Sequence, residues 1–358
     1  MGISQNVTKP NYNNLLGIRK SIQKFNLMDY VLYLINIKID ENEIALIFTI
    51  HKILIYELSS LKKVYENDIN YNYFYYTDVN RIQKLKSNIL IFMANSFTKT
   101  LIIKKDKNLN KYHIYKGKIF DYSLSSINLV ELSNNNLVLL KNYSIYLFKS
   151  NEEKEIEFKE ILNEERIIKQ KLPFYTIDYK ITIDTDYNYL DIISMNNDII
   201  VYHNTNYIYI YSLYNKQSIF NIEVKIDSST DDVIKRLSED IFFFCGKNII
   251  YFISIKLGMI IKQITLFKYF HIVASQHLND NNIIFALMKK INKYDEFFPI
   301  YFEKYYFTIF NNNINIHFVS QFLLEEKGSG NIIINELEDS KIITSTNKFF
   351  YIYNNSNQ

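Results

Sequence analysis

Oxygen ligands with the spacing of a metal site occur at one place in the chain. Asp184, Asp186 and Asn188 alternate as the first three ligands of a calcium loop do. The sixth position of such a loop is a turning glycine, and here it is Tyr189; the twelfth is a bidentate glutamate, and here it is Met195. We therefore predict a polar turn before a strand and no metal site.

Sulfur and imidazole side chains give no catalytic set. Cys245 ends the apolar run 241–244, which is typical of a buried strand, so we expect a small core residue rather than a nucleophile. The closest histidines, His271 and His277, are six positions apart without a third ligand, and we predict turn or surface positions for all six. These are His51, His113, His203, His271, His277 and His317. No catalytic, metal-binding or cofactor-binding residue is predicted.

Motifs for nucleotides and nucleic acids are missing from the sequence. The chain has seven glycines and no glycine-rich phosphate loop, so no cofactor is expected. The net charge of +3 is small for a nucleic-acid-binding surface. The four arginines are dispersed, at Arg19, Arg81, Arg166 and Arg236. A lysine-rich stretch, 99–118, contains Tyr112 and Tyr115, and we interpret it as a solvated outer face.

Cysteine usage and hydropathy favour the cytoplasm. One cysteine excludes an internal disulfide, and no apolar run reaches the roughly 18–20 residues that span a bilayer. We predict a cytoplasmic protein without stable membrane insertion. The start Met1 to Asn6 is similar to an N-myristoylation signal at Gly2, although Asn6 stands where Ser or Thr is usual. Weak lipid anchoring at Gly2 stays an alternative, because one myristoyl chain binds membranes only marginally.

A repeated unit of two apolar runs forms the secondary-structure elements that must position any functional site. The first run follows a polar turn pair, the second ends in an aromatic or aliphatic residue, and the unit occurs seven times. The second runs end at Tyr56, Ile103, Phe148, Tyr211, Ile253, Phe310 and Tyr353. Four of the six spacings lie close to the ~40–45 residues of a four-stranded propeller blade, and insertions at about 152–182 and 289–303 explain the longer two. Runs rich in Ile, Tyr, Phe and Val predict strands, so the fold class is all-β.

The units resemble the WD40-like β-propeller family in architecture. The family's Trp-Asp pair at the end of the third strand is replaced by pairs such as Tyr56-Glu57, Phe148-Lys149 and Tyr211-Ser212, and its Gly-His pair is missing. The resemblance implies a seven-bladed β-propeller of four-stranded antiparallel blades. Because the last unit lacks an outer strand, we predict that residues 21–27 pair with the final blade and close the ring.

The expected organisation is an N-terminal tail, 1–20, and a single propeller domain, 21–358. Segments that follow the second runs, such as 155–159, alternate polar and apolar residues and are interpreted as solvated outer strands.

Function is expected in the loops of this ring, because no catalytic set is visible. The two insertions should lie on one rim, and the loop Lys289 to Glu303 carries four aromatic residues there. We predict that Tyr294, Phe297, Phe298 and Tyr301 bind a protein partner, and that the protein is a non-enzymatic scaffold or adaptor. Two alternatives stay open: the rings fold back onto their own blade, or an enzyme site occupies the central channel.

Overall fold

The computed structural model describes most of the chain, in ranges that are separated by gaps. The described residues are 23–27, 29–68, 79–86, 88–94, 98–120, 128–141, 144–183, 191–204, 206–224, 233–246, 248–266, 270–289, 299–310, 313–324, 332–338, 341–346 and 349–353. These residues form 28 β-strands. The all-β prediction is confirmed.

The first strand precedes three consecutive groups of four strands. They are β1 (Gln23–Asn26), β2 (Val31–Ile39), β3 (Asn42–Thr49), β4 (Lys52–Glu57), β5 (Lys62–Asp68), β6 (Val79–Lys84), β7 (Leu90–Ala94), β8 (Thr98–Asp106), β9 (Lys111–Gly117), β10 (Asn128–Glu131), β11 (Leu137–Lys141), β12 (Ser144–Glu160) and β13 (Ile167–Thr182). The strands β12 and β13 are much longer than the others.

The remaining fifteen strands continue the same pattern. They are β14 (Asp191–Ser194), β15 (Ile199–His203), β16 (Tyr207–Ser212), β17 (Gln217–Glu223), β18 (Val233–Arg236), β19 (Ile241–Cys245), β20 (Ile249–Ser254), β21 (Met259–Thr265), β22 (Phe270–His277), β23 (Asn282–Lys289), β24 (Ile300–Phe310), β25 (Asn313–Leu323), β26 (Ile332–Glu336), β27 (Ile342–Thr346) and β28 (Phe349–Tyr353). Every first apolar run of the repeat lies in the second strand of a group of four, and every second run in the third.

The described strands form six sheets. Five have four strands, in the orders β1-β28-β27-β26, β2-β3-β4-β5, β14-β15-β16-β17, β18-β19-β20-β21 and β22-β23-β24-β25. The sixth has eight, in the order β10-β11-β12-β9-β8-β7-β6 with β13 on β12. The predicted count of seven separate four-stranded blades is therefore not confirmed, because the far end of β12 pairs with β9 and joins two meanders into one sheet.

The pairing of the N-terminal strand with the last group is confirmed. Strand β1 runs antiparallel to β28, with Gln23 opposite Ile352 and Asn26 opposite Phe349. The rings of Phe25 and Phe350 stack with their centroids 4.1 Å apart. Residues 1–22, which include Gly2 and the predicted tail, lie outside the described residues.

The chain divides into two compact units. Unit 2 comprises Leu32–Asn197 and unit 1 comprises Met1–Val31 with Asp198–Gln358. Unit 2 has one apolar cluster around Phe48 and Phe92 and another around Phe120, Phe148 and Phe158. These rings are fully buried, as expected for the inner strands of a sheet structure.

Unit 1 is built on two further apolar clusters. In one, Phe285 meets both Phe243 and Tyr305 edge to face. The other gathers Phe322 and Tyr353 with their neighbours. Cys245 is 2% exposed in β19, so the expectation of a core cysteine is confirmed.

Several tight turns between strands contain a residue with a positive φ. Asn88, Asn135 and Asn281 have φ of 59°, 64° and 59° in the turns that precede the second strands. All three belong to the polar pairs that precede the first apolar runs and that the sequence predicts as turns. In the turns before the fourth strands, Lys216 and Gly258 occupy matching positions, with φ of 54° and 61°.

Substitution at these two matching positions should have opposite effects. Lys216→Gly is expected to raise the free energy of unfolding by up to about 1 kcal/mol, because glycine adopts a positive φ without the Cβ strain. Gly258→Ala should lower it by about 1–2 kcal/mol, because the methyl group would be strained and would overlap the ring of Phe220. Denaturant unfolding of both variants checks the pair. Equal effects of the same sign would contradict the assignment.

Candidate functional site

Three of the four predicted partner-binding residues, Tyr294, Phe297 and Phe298, lie outside the described residues, so their role stays a prediction. Tyr301 is different. It lies in β24, opposite Leu287, and is 8% exposed within the apolar core of unit 1. Burial raises the pKa of its hydroxyl. The prediction of Tyr301 as a surface contact is therefore wrong, because β24 begins at Ile300 and its first residues are buried on both faces.

The calcium-like sequence also lies outside the described residues. Asp184, Asp186 and Asn188 belong to the gap between β13 and β14. Among the described residues, no group of three His, Cys, Asp or Glu side chains is placed to hold a metal ion. The part of the chain that the structure describes likewise has no helix whose length and apolarity would let it cross a bilayer.

The first insertion, 152–182, forms a long hairpin from β12 and β13 rather than a solvated outer strand. Its alternation places Ile156, Phe158 and Glu160 on one face, and all three are buried. Phe158 lies across Gly117 of β9, where even a methyl group would overlap the ring. This close approach lets the end of β12 pair with β9, with Glu160 opposite Tyr115. We call this segment, Ser144–Thr182, the long hairpin.

The tip of the long hairpin is fixed by backbone hydrogen bonds. The amide of Ile161 donates to the carbonyl of Ile114 on β9 at 2.9 Å, and the amide of Glu160 donates to the carbonyl of Arg166 at 3.0 Å. Further back, the amide of Tyr175 donates to the carbonyl of Ile119 at 2.9 Å. These contacts place the side chain of Arg166 beside β8 and β9.

A network of four polar side chains links the hairpin tip to β8 and β9. Nδ1 of His113 lies 2.7 Å from Oε1 of Glu160, and Nη1 of Arg166 lies 3.1 Å from Nε2 of His113. Nη2 of Arg166 donates to Oδ2 of Asp106 at 3.4 Å. With the proton on Nδ1, His113 donates to Glu160, and Nη1 of Arg166 lies 3.2 Å and 3.1 Å from the two ring nitrogens, Nδ1 and Nε2.

Backbone hydrogen bonds and burial set the protonation states of two groups at this network, Asp106 and Tyr115. The amides of Leu109 and Asn108 donate to Oδ1 of Asp106, and these bonds, aided by Arg166, hold the pKa of that carboxyl below its usual range. Burial raises the pKa of the Tyr115 hydroxyl, and the charge of Glu160 adds to the rise. Asp106 is thus ionised and Tyr115 protonated around neutral pH.

A cavity of about 300 Å³ lies beside this network of side chains. We call it the hairpin cavity. Its cationic lining residues are Lys104, Lys105, Arg166 and Lys169, against the single carboxylate of Asp106. His113, Tyr115, Ile168 and Gln170 complete the lining. The groups that line the cavity are therefore mostly cationic, while the carboxylates of Glu57, Glu155 and Glu160 pair with three of these cations from outside the lining. Cationic N–H donors that face a cavity suit an anionic ligand.

Two of these lysines already have partners. Nζ of Lys105 lies 3.1 Å from Oε1 of Glu57, and Nζ of Lys169 lies 3.3 Å from Oε1 of Glu155. The pair of Lys105 is mostly buried, whereas the pair of Lys169 is exposed and exchangeable with solvent. Lys104 is exposed.

Sequence reasoning missed the hairpin cavity. The sequence predicts turn or surface positions for His113 and His203, yet His113 has a side chain only 13% exposed and His203 is fully buried. Tyr112 and Tyr115, in the stretch interpreted as solvated, are both buried. The one sequence signal was the alternation in 155–160, which places Glu160 on the same face as two apolar residues.

A second surface lies on two hairpins of unit 1, β16–β17 and β20–β21. Tyr214, Phe220, Leu257 and Met259 are exposed large apolar residues, and we call them the turn patch. Tyr214 is 85% exposed. Phe220 lies against Gly258, which is the residue between Leu257 and Met259.

Matching polar clamps hold both turns. Asp198 accepts a hydrogen bond from the Ser212 hydroxyl at 3.0 Å and one from the amide of Tyr214 at 2.6 Å. Asp240 accepts equivalent bonds from Ser254 at 2.8 Å and from the amide of Lys256 at 2.6 Å. The apolar side chains of the turn patch therefore project from fixed backbone.

Comparison with known proteins supports the architecture. No protein-family model matches the chain, and no curated protein matches its sequence. Among solved structures, the chain is similar to BBS1N, a β-propeller whose crystal structure was determined in complex with ARL6DN after soaking with mercury. The TM-score is 0.55 at 13% identity, over 93% of this chain and 95% of that chain. The chain has a β-propeller-like, all-β fold. At this identity the likeness concerns the fold alone.

Proposed function

We propose that this protein is a seven-bladed, WD40-like β-propeller that acts as a non-enzymatic scaffold for a protein partner. The eight-stranded sheet consists of two consecutive meanders, β6 to β9 and β10 to β13, so the 28 strands divide into seven groups of four. On this proposal the pairing of β9 with β12 is an added link between two blades. The fold likeness to BBS1N, which was crystallised with a protein partner, supports the same class of function.

The observation that carries the scaffold proposal is the turn patch. Exposure of large apolar side chains to water is unfavourable in free energy, and a partner that covers them removes this cost. Aromatic and methionine side chains are also the types enriched at protein interfaces. Unit 1 has two buried apolar clusters, and none of the turn-patch residues belongs to either of them.

The loop between β23 and β24 is a further proposed contact. Tyr294, Phe297 and Phe298 keep their predicted role in partner binding, without Tyr301. We also propose a cytoplasmic location, and protein rather than nucleic acid as the partner, on the composition and dispersed arginines of the chain.

The alternative of an enzyme site at a central channel has no supporting observation among the described residues. The pair of Glu160 and His113 can orient an imidazole, but it belongs to the long hairpin. No Ser, Thr or Cys side chain joins it among the described residues that line the hairpin cavity.

Affinity purification with paired variants tests the scaffold proposal. Tagged protein should capture at least one specific partner, and the double variant Tyr214→Ser with Met259→Ser should recover at least about tenfold less of it, since interface anchors contribute roughly 2 kcal/mol each. The melting temperature should stay within about 1 °C of the parent, because exposed substitutions cost little.

The matched control is Ile177→Ser, an exposed apolar residue on β13 outside the turn patch. Its capture should equal that of the parent protein. The double variant Phe297→Ala with Phe298→Ala forms a separate arm for the loop. A stable turn-patch variant that captures every partner at parental yield would contradict the role of the patch.

A further inference from the structure

We propose that the hairpin cavity binds the phosphate group of a phosphorylated serine or threonine in a segment of a partner protein. This inference deepens the proposed scaffold function and rests on it, since it names the chemistry of one bound segment. It uses the long hairpin of unit 2 and is independent of the turn patch.

The charge of the cavity fits a phosphate dianion. A phosphorylated side chain carries about −1.5 to −2 charges near neutral pH. Four cationic side chains and one carboxylate line the cavity, and Lys104 and Lys169 are exposed enough to move toward a ligand.

The arginine is already fixed in place. Arg166 is held by Asp106 on one side and by His113 on the other, and His113 is held by the buried Glu160. A guanidinium has five N–H donors in a planar fork, so these contacts leave donors for a ligand. Since the side chain is 40% exposed, the remaining donors can reach it. A fixed arginine loses little entropy on binding phosphate.

The size and rim of the cavity favour a side chain of a protein. A volume of about 300 Å³ is at the lower end for ligand sites, which suits one phosphorylated side chain better than a nucleotide. Exposed apolar residues flank the charged walls on the two nearby turns. They are Leu109 on the β8–β9 turn and Leu162 and Ile167 at the hairpin tip. Apolar residues beside a phosphate site can bind the neighbours of the phosphorylated residue.

Calorimetry on the full chain tests the proposal with defined probes. These are an acetylated pentapeptide with central phosphoserine and leucine on both sides, its unphosphorylated serine twin, inorganic phosphate and a single-stranded oligonucleotide. We expect the phosphopeptide to bind most tightly and the serine twin at least about tenfold more weakly, as charge-assisted hydrogen bonds to phosphate are lost. Raising the salt should weaken phosphopeptide binding.

Variants locate the binding in the hairpin cavity. Arg166→Gln should weaken phosphopeptide binding by at least about tenfold. Arg166→Lys keeps the charge without the planar fork and should give an intermediate loss. The double variant Lys104→Gln with Lys169→Gln should also weaken phosphopeptide binding. It alters exposed residues only, so it tests the site even if Arg166→Gln lowers stability. The control Lys256→Gln, at an exposed lysine of the β20–β21 turn, should bind as the parent does.

Several outcomes would overturn the inference. These are equal binding of the phosphorylated and unphosphorylated peptides, parental affinity in both Arg166 variants, or equal affinity for inorganic phosphate or the oligonucleotide. If phosphopeptide binding fails while the turn-patch variants still lose their partner, only this inference is wrong. If it succeeds while those variants capture normally, the turn-patch proposal is wrong instead.

Discussion

Phe158→Ala is expected to lower the free energy of unfolding by about 3–5 kcal/mol, the usual cost of removing a fully buried ring. Phe158 is 0% exposed and belongs to the apolar cluster that joins β9 to the long hairpin. Its loss also removes the contact with Gly117 that lets the end of β12 pair with β9. For a chain of this length the expected drop in melting temperature is about 4–7 °C.

The same substitution should open the hairpin cavity. Because Glu160 is two residues from Phe158 on the same face, release of β12 separates Glu160 from His113 and frees Arg166. Hydrogen exchange should therefore rise at the amides of Glu160 and Ile161 more than in the sheets of unit 1. The control is Ile167→Ala on the exposed side of the hairpin, which should cost less than about 0.5 kcal/mol. A Phe158→Ala protein that melts with the parent would contradict the anchoring role.

The repeat was predictable from the sequence because its determinants are local. Turn residues such as Asn88 and Asn135, followed by four apolar residues, specify a hairpin wherever they occur. The apolar residues Leu85 and Leu132 directly follow the first strands of their groups, and their amides donate across the turn to the carbonyls of Ile89 and Asn136. Local chemistry repeated seven times was enough to indicate the all-β class.

The junction of two meanders was not predictable in the same way. Strand β12 meets β9 at Glu160 and Tyr115, which are 45 residues apart in sequence. A pairing between distant edges depends on how far a strand extends, and the segment 155–159 has the alternation of any half-buried strand. The packing of Phe158 on Gly117 decides its partner, and only the folded chain brings those residues together.

The hairpin cavity was missed for a related reason. His113 lies 47 residues from Glu160 and 53 from Arg166, so no spacing rule joins them. The prediction for Tyr301 was wrong for a different reason. An aromatic residue next to an insertion is easily assigned to the loop, but β24 is buried on both faces at its start, and such strands show no alternation that would reveal where the loop ends.

Deletion of residues 1–27 is expected to lower the melting temperature by at least about 4 °C and to cause association. Strand β1 supplies the four residues that pair with β28, and Phe25 and Leu27 pack against the sheet it completes. Burial of these two side chains contributes about 3 kcal/mol or more, before the backbone hydrogen bonds are counted. For 358 residues that corresponds to the stated shift.

Association follows from the edge that the deletion exposes. Without β1, the strand β28 presents the unpaired backbone of the sequence FFYIY, which has high β propensity and no charge. Light scattering at increasing concentration should show oligomers for the 1–27 deletion. Deletion of residues 1–20 alone retains β1 and should stay as stable and as dispersed as the parent. If the longer deletion melts like the shorter one and stays monomeric, β1 does not protect that edge.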